Sequence, residues 1–363
     1  MAARWRVRMV RAWRDGLPAP WDWLLAAATV AYRGALALRS AAYAVGVRRA
    51  RRLPCRVVAV GNLTVGGTGK TPMVELLARA LLARGRRVVI LSRGYGRRSG
   101  APVSLVSDGR TVFLDSRTAG DEPLLLARRL AGVPVVVGRD RYRAGAWALP
   151  RFRPDVFLLD DGFQQRRLRA DIDVVCLDAR VPWGSRGLLP RGSLREPPAA
   201  LARAHLLVVT HADGAADAAH VEAEVRRHAP TAPLVHARFE ADAVEDLGSG
   251  SAVPAPMLRS RPVLAFAGIA APERFAATLA GLGIAVRELV TFPDHHPYAP
   301  ADLAALEDRA RRVGAEALVT TEKDAVRLPP VGGLAVWCVR VRLRLGEGAE
   351  RWWAALDARL TVP

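Results

Sequence analysis

Short, continuously apolar runs alternate along the chain with stretches whose apolar residues recur every three or four positions. Such runs are typical of strands buried on both faces, and the periodic stretches indicate helices. The strands predicted in the first two thirds of the chain are 56–60, 87–91, 133–137, 155–159, 173–177 and 205–210. The first precedes a helix over 73–82, which Gly85 ends. This alternation predicts an α/β fold with a parallel sheet and helices on both faces.

A second α/β series follows the stretch 241–261, which is rich in Gly, Ser, Pro and Ala and predicts a linker. The predicted elements of this series are strands 263–267, 286–291 and 317–320 and helices 272–280 and 300–313. A length of 363 residues suits two domains. We therefore expect a main domain over 51–240 and a smaller C-terminal α/β domain over 262–363 that closes over the active site.

Charge adds a preference for anionic partners. The chain has 54 Lys and Arg residues against 35 Asp and Glu, a formal charge of +19. Nucleic acid, phosphate and an acidic membrane surface all fit this excess. Aromatic residues make up 6% of the chain, and no nucleic-acid-binding module is recognisable, so we expect no nucleic-acid partner. Three widely spaced cysteines indicate a reducing, cytosolic setting.

Lysine occurs only twice, at Lys70 and Lys323, so these positions are expected to need a compact ammonium. Lys70 lies in the glycine-rich loop 65–72, between a predicted strand and a predicted helix. Backbone amides there can converge on phosphate oxygens, while Lys70 bridges the β- and γ-phosphates of ATP and Thr71 ligates Mg²⁺. The predicted nucleotide-binding residues are Thr64, Val65, Gly66, Gly67, Thr68, Gly69, Lys70 and Thr71.

Acidic residues follow in two further motifs. Asp160 and Asp161 end a predicted strand in the LDDGFQ segment (158–164), where either would hold Mg²⁺ directly or through water. Asp121 and Glu122 lie in the GDEP segment (120–123). Asp121 is a candidate for the base that accepts a proton from the phosphoryl acceptor, with an ordinary helix cap as the alternative.

Histidine and arginine motifs complete the candidate site. His295 and His296 lie between prolines in 292–298, without a third ligand at zinc spacing, so one of them is expected to support a carboxylate base. Arginines cluster in 93–97, in 138–141 and in the LREP segment (194–197). These clusters follow predicted strands or lie in loops at the carboxyl edge of the sheet, where open α/β folds bind ligands.

The N-terminal 50 residues form a separate basic segment. Residues 1–56 contain twelve Arg and two Asp. The apolar run 23–32 is shorter than the roughly 20 residues of a membrane-spanning helix. A helix over about 21–44 would carry Trp, Leu and Tyr beside arginine, which predicts a membrane-interfacial helix. A buried core helix is the alternative; a signal peptide fits poorly, because export would remove the nucleotide site from ATP.

These motifs, in this order, resemble the tetraacyldisaccharide 4′-kinase family of lipid A biosynthesis. The matching strings are GNLTVGGTGKTP (61–72), RGYG (93–96), GDEP, LDDGFQ, LREP, Asp294-His295 and TTEKD (320–324). The resemblance as a whole covers about residues 20–343. Two departures are a long basic extension before Leu17, and Ser193, where a proline is more usual.

The resemblance implies a P-loop kinase that transfers the γ-phosphate of MgATP to the 4′-hydroxyl of tetraacyldisaccharide 1-phosphate, giving lipid IVA. Its N-terminal helix would contact the cytosolic face of the bacterial inner membrane. Asp121 would be the base in a dyad with His295. Thr71, Glu122, Asp160 and Asp161 would organise Mg²⁺. The residues expected near the lipid headgroup are Arg93, Tyr95, Arg139, Arg141, Arg195 and Glu196.

The main alternative is a peripheral membrane P-loop ATPase or GTPase. A water-positioning residue is not evident, and Glu322-Lys323-Asp324 has the wrong spacing for a guanine-recognition motif. The role of Lys323 stays open, either in a cleft between the domains or in an ion pair with Glu322 or Asp324.

Overall fold

The structure, a computed structural model, describes residues 13, 19–185, 187–212 and 215–361. These residues divide into two compact units. The larger unit holds the described residues up to Phe239 and those from Leu343 onwards, and the smaller unit holds Glu240–Arg342.

The larger unit is built on a sheet that is parallel except at one edge. Its strands are β1 (Arg56–Gly61), β2 (Val88–Ser92), β3 (Ser104–Ser107), β4 (Val135–Val137), β5 (Val156–Asp160), β6 (Ile172–Asp178), β7 (Leu206–Thr210) and β8 (Leu234–Asp246), which continues into the smaller unit. They lie in the order β8-β7-β6-β1-β5-β2-β4-β3, with β3 antiparallel to β4. The α/β fold class predicted from the hydrophobic pattern is confirmed.

Helices cover this sheet and explain its apolar strands. The helices of the larger unit are α1 (Ala19–Ala44), α2 (Lys70–Ala83), α3 (Ser116–Ala119), α4 (Asp121–Arg129), α5 (Arg141–Phe152) and α6 (Ala215–Arg226). Of these, α2 and α5 pack directly on the strands. On one face of β1, Val57 and Ala59 pack with Ala144 of α5. Successive strand residues point to opposite faces, and Val58 and Val60 are buried as well. A strand covered on both faces therefore needs an unbroken apolar sequence.

The smaller unit is built on four parallel strands. Its further elements are α7 (Ala255–Ser260), β9 (Val263–Ala267), α8 (Pro272–Gly281), β10 (Val286–Thr291), α9 (Pro300–Arg312), β11 (Ala317–Thr321), α10 (Glu322–Ala325) and β12 (Ala335–Leu345). The strands lie in the order β10-β9-β11-β12. Apolar clusters lie around Phe275 and Trp337 and around Phe266 and Leu306.

The domain boundaries differ from those predicted at two places. Residues 241–261, predicted as a linker, contain the end of β8 and all of α7, because a half-buried strand with polar alternation resembles a loop in composition. The chain returns to the larger unit from Leu343 and ends its described part with α11 (Ala349–Thr361), so residues 343–361 do not belong to the smaller domain. The fully buried Trp352 anchors α11, since its indole donates a hydrogen bond to the Leu207 carbonyl at 3.0 Å.

The predicted N-terminal helix corresponds to α1, which belongs to the larger unit and has no fully buried residue. Residues 1–12 and 14–18 of the predicted basic segment lie outside the described residues. Among the residues that the structure describes, no helix is long and apolar enough to cross a membrane.

A buried polar network holds the smaller unit together around Asp324, which is fully buried. Its carboxylate accepts hydrogen bonds from the Tyr298 hydroxyl at 2.9 Å, the Thr321 hydroxyl at 2.6 Å and the Gly268 amide at 3.0 Å, and it pairs with Arg327. A Cβ on Gly268 would lie 3.0 Å from this carboxylate, so glycine is needed there. These contacts give Asp324 of the TTEKD motif a structural role.

Replacing Asp324 with alanine should destabilise the smaller unit by about 3–5 kcal/mol, because the buried Arg327 guanidinium would lose its counter-charge. Hydrogen exchange in β9 and β11 measures this as a lower free energy of local opening. Asp308→Ala is the control, since its ion pair with Arg311 is exposed. Equal protection in the two variants would contradict the assigned role of the network.

Candidate active site

Parallel strands place the loops that follow them at one edge of the larger sheet. β1 leads into the glycine loop, β2 into Arg93, β4 into the segment around Arg139, and β5 ends at Asp160. Gly61 allows two of these loops to meet, because a Cβ there would lie 2.4 Å from Cβ of Phe163. Residues from four separate motifs are therefore gathered at the edge where α/β sheets bind ligands.

The glycine loop turns sharply into α2. Gly69 caps this helix with a left-handed φ of 81°, and a Cβ there would meet the side chains of Phe239 and Thr210 at 3.0 and 3.1 Å. The Thr210 hydroxyl, at the end of β7, also donates to the Thr68 carbonyl at 3.2 Å. Gly66 and Gly67 are exposed. Thr210 and Phe239 thus support the loop at Thr68 and Gly69, while Gly66 and Gly67 face solvent, as a phosphate-binding loop requires.

Lys70 lies between the loop and the LDDGFQ segment. Its ammonium donates to the Gly66 carbonyl at 3.4 Å and lies 3.7 Å from the Asp161 carboxylate. Asp161 has a left-handed φ of 53° in the Asp-Gly turn that ends β5. Arg195 also binds Asp161, with Nη1 2.8 Å from each carboxylate oxygen. Lys70 and Arg195 oppose the effect of burial and lower the pKa of Asp161.

The pKa of the preceding residue, Asp160, is shifted in the opposite direction. It is 1% exposed, and burial, followed by the charges of Glu122 and Asp161, raises its pKa to about 7. The Ser92 hydroxyl donates to Oδ2 at 3.1 Å, whereas the buried Oδ1 has no hydrogen-bond partner. A buried carboxylate oxygen without a donor, near two further carboxylates, fits a site that a cation completes.

Asp121 and Glu122 form the first turn of α4. The residue that caps this helix is Gly120, with a φ of 92°, so Asp121 is not the cap considered as its alternative role. Carboxylates are stabilised in a first helical turn by the helix dipole. Gly120 is also required by packing, because a Cβ there would lie 2.8 Å from the Tyr95 carbonyl. The GDEP and RGYG motifs are therefore in contact through their backbones.

The predicted headgroup residues separate into two groups. Arg93, Tyr95 and Arg139 are exposed at the carboxyl edge. The other three, Arg141, Arg195 and Glu196, make internal contacts. Arg141 is 4% exposed and donates weakly to the Asp160 carbonyl at 3.4 Å; burial lowers its pKa to about 10.

Glu196 is the clearest departure from the expected headgroup contact. Its carboxylate is 4% exposed, and it binds Arg39 of α1 at 3.1 Å and Arg203 at 2.7 Å. The LREP motif did not indicate that Arg39, which is 157 positions away, and the nearby Arg203 would bind the two oxygens of Glu196.

The predicted histidines belong to the smaller unit. His295 has a left-handed φ of 60°, donates its amide to the Gly268 carbonyl at 3.2 Å and lies 3.7 Å from Asp294. His296 binds Asp302 at 3.1 Å and stacks on Phe292. The pairing of Asp121 with His295 stays a prediction.

The chain is similar to a family of kinases along most of its length. The family model described as tetraacyldisaccharide-1-P 4′-kinase, LpxK, matches residues 21–361. The chain belongs to this family. The chain is 43% identical to the tetraacyldisaccharide 4′-kinase of Syntrophus aciditrophicus, covering 91% of this chain and 92% of that one. It is 47% identical to that of Geobacter metallireducens, covering 85% and 89%.

A solved structure of this family has the same fold. The crystal structure of the "apo" form of LpxK from Aquifex aeolicus in complex with ATP superposes with a TM-score of 0.76 at 32% identity. The match covers 94% of this chain and 99% of that one. The expected family and fold are both confirmed.

Some contributing residues were missed by sequence reasoning. Ser92 is the last residue of β2, and its hydroxyl binds Asp160. Thr210 is the last residue of β7 and supports the glycine loop. Both polar residues end apolar strands at the carboxyl edge, a signal that could have identified them. Tyr32 and Arg39 of α1, which bind the Arg195 carbonyl and the Glu196 carboxylate, offered no such signal.

The described residues contain no group of three or more His, Cys, Asp or Glu that could hold a metal ion by itself. The end of β5 instead offers two adjacent carboxylates, those of Asp160 and Asp161. Mg²⁺ is commonly held by one or two carboxylates plus substrate phosphates and water, so this smaller donor set suits it.

Asp160→Asn should stabilise the protein against unfolding at pH 8 but not at pH 4. The folded-state pKa of about 7 lies above the ordinary 3.8, so between about pH 4 and pH 7 the unfolded carboxyl is ionised while the native one still holds its proton, and the protein loses stability as the pH rises through this window. Thermal unfolding across this range measures the difference. Asp155→Asn should change with the opposite sign, because Arg87 lowers the pKa of Asp155. A pH-independent difference for Asp160→Asn would contradict the assignment.

Proposed function

We propose that this protein transfers the γ-phosphate of ATP to the 4′-hydroxyl of tetraacyldisaccharide 1-phosphate, giving lipid IVA in lipid A biosynthesis. The observation that carries the proposal is the glycine loop with Lys70 beside Asp161, in a chain of this family. The headgroup of the lipid is proposed to bind Arg93, Tyr95 and Arg139, which are exposed and of which two carry positive charge.

The residues present divide the work of phosphoryl transfer. The amides of the glycine loop and the dipole of α2 bind the phosphates, and Lys70 neutralises the β- and γ-oxygens. Asp121 is the proposed base that takes the proton of the attacking hydroxyl, with His295 as the proposed histidine of the dyad. Thr71, Glu122, Asp160 and Asp161 would hold Mg²⁺, which would supply positive charge to neutralise the phosphates.

Membrane attachment through α1 is the second part of the proposal. Trp21, Trp23 and Leu24 are 63%, 73% and 61% exposed, which is unusual for large apolar side chains. A formal charge of +19 adds attraction to anionic lipids. We propose that the protein is peripheral on the cytosolic face of the bacterial inner membrane, where α1 lies in the interface.

The deciding experiment incubates the protein with γ-phosphate-labelled ATP and detergent-dispersed tetraacyldisaccharide 1-phosphate. Label in the lipid supports the kinase. Lipid-independent release of labelled phosphate, with no labelled lipid, would instead favour the peripheral membrane ATPase.

Asp121→Asn should reduce kcat by about 10²–10⁴-fold, because the acceptor hydroxyl would lose its base. Binding of MgATP should stay within about twofold of the wild type, since the phosphates are held by other residues. Labelled-lipid formation and nucleotide titration measure the two quantities. Asp108→Asn, in a surface turn, is the matched control. Undiminished kcat in Asp121→Asn would refute the base assignment.

Replacing Trp21 and Trp23 together with alanine should weaken binding to anionic phospholipid vesicles by at least about tenfold. Burying one large apolar side chain contributes roughly 1.5–3 kcal/mol, and two are removed. Vesicle co-sedimentation measures the loss. The control is Phe113→Ala, which removes an aromatic ring that is 52% exposed but lies outside α1. Equal vesicle binding by both variants would show that α1 is not the membrane contact.

A further inference from the structure

The LREP segment is held on one side by helix α1. The Tyr32 hydroxyl donates to the Arg195 carbonyl at 2.8 Å, and Arg39 Nη2 donates to Glu196 Oε1 at 3.1 Å. Glu196 is buried, and its other oxygen binds Arg203 at 2.7 Å. Hydrogen bonds between charged, poorly hydrated groups are among the stronger ones in proteins, so α1 fixes the position of this segment.

On its other side, the same segment pairs with the start of the glycine loop. The Arg195 amide donates to the Leu63 carbonyl at 2.7 Å, and the Val65 amide donates to the Ser193 carbonyl at 2.8 Å. Thr64 and Leu194 form an isolated antiparallel bridge between these bonds. This short ladder explains why Thr64 is buried, and it makes the LREP segment part of the support of the loop.

Arg195 then extends the contacts to the centre of the site. Its guanidinium binds both oxygens of Asp161 at 2.8 Å, and Asp161 lies 3.7 Å from the Lys70 ammonium. Without Arg195 in place, Asp161 would keep Lys70 as its main counter-charge and compete with the phosphates for that ammonium. The position of Arg195 therefore controls how available Lys70 is to ATP.

We propose that Tyr32 and Arg39 of α1 are positioning residues for phosphoryl transfer, acting through the LREP segment on Asp161 and Lys70. This inference rests on the proposed kinase function and extends it. In addition to its proposed contact with lipid, α1 holds Arg195 and Glu196 in place through hydrogen bonds. Its removal would cost catalysis even where no membrane is present.

The test compares pairs of variants that are matched in charge and residue type. Arg39→Gln is compared with Arg33→Gln, which removes the same charge from an exposed position of the same helix. Tyr32→Phe is compared with Tyr43→Phe, because the Tyr43 ring lies 5.9 Å from Arg166 and no hydrogen bond of its hydroxyl is found among the described contacts. The lipid substrate is dispersed in detergent, so that attachment to a membrane does not limit the rate.

Arg39→Gln and Tyr32→Phe should each lower kcat by about tenfold, equivalent to about 1.4 kcal/mol, while the KM for lipid changes less than twofold. Arg33→Gln and Tyr43→Phe should stay within about twofold of the wild type. Arg39→Lys keeps the ion pair and should recover most of the rate. The loss in the double variant Arg39→Gln/Glu196→Gln should be smaller than the product of the single losses, because both act through one contact.

Hydrogen exchange gives a readout that does not depend on activity. The amides of Val65 and Arg195 should exchange faster in Arg39→Gln than in Arg33→Gln, because the ladder that they form loses its support. Equal kcat values in Arg39→Gln and Arg33→Gln, or a loss confined to the KM for lipid, would overturn the proposal.

The same measurements separate this inference from the proposed function. Absence of labelled lipid with the wild type would refute the kinase. In that case unequal exchange would still establish that α1 supports the loop, and equal exchange would refute that support too.

Discussion

The candidate site depends on the pairing of one ammonium with several carboxylates at the edge of a parallel sheet. Lys70 lies 3.7 Å from Asp161, and Asp160 is buried beside it. Carboxylates this close cannot all be ionised at low cost, so neighbouring groups decide which of them keeps its charge. Lys70 and Arg195 lower the pKa of Asp161, whereas burial and the charges of Glu122 and Asp161 raise that of Asp160. Two adjacent residues of one motif therefore have pKa values shifted in opposite directions because their surroundings differ.

This arrangement requires support from parts of the chain that are far apart in sequence. The glycine loop rests on Thr210 from β7, and the Asp-Gly turn packs against Gly61 of β1. Arg195 approaches Asp161 from the LREP segment, which α1 holds through Arg39. The N-terminal helix, which carries exposed tryptophans, thus contributes to the same structure that positions Lys70. The helix proposed to contact lipid and the glycine loop are therefore connected through one set of hydrogen bonds.

Local sequence predicted most of the sheet because its strands are buried on both faces and therefore read as unbroken apolar runs. Strands β9 and β10 have the predicted bounds, and β1 and β5 differ from theirs by one residue. Elements that combine polar and apolar residues were harder to detect. The half-exposed end of β8 was assigned to a linker, and α11 was assigned to the wrong domain, because only its packing through Trp352 places it on the larger sheet.

The sequence by itself determined the family, the phosphate loop and the acidic motifs, because these depend on short strings whose spacing is fixed by local backbone geometry. The hydrogen-bond and ion-pair partners of the side chains, in contrast, follow from the tertiary structure. Glu196 was expected at a headgroup and is instead buried between Arg39 and Arg203, and Arg141 is buried beneath the Asp160 backbone. The ion pair between Arg39 and Glu196 joins residues 157 positions apart, and such a contact leaves no periodic signal in the chain. The partners of such residues are set by which loops the sheet brings to one edge.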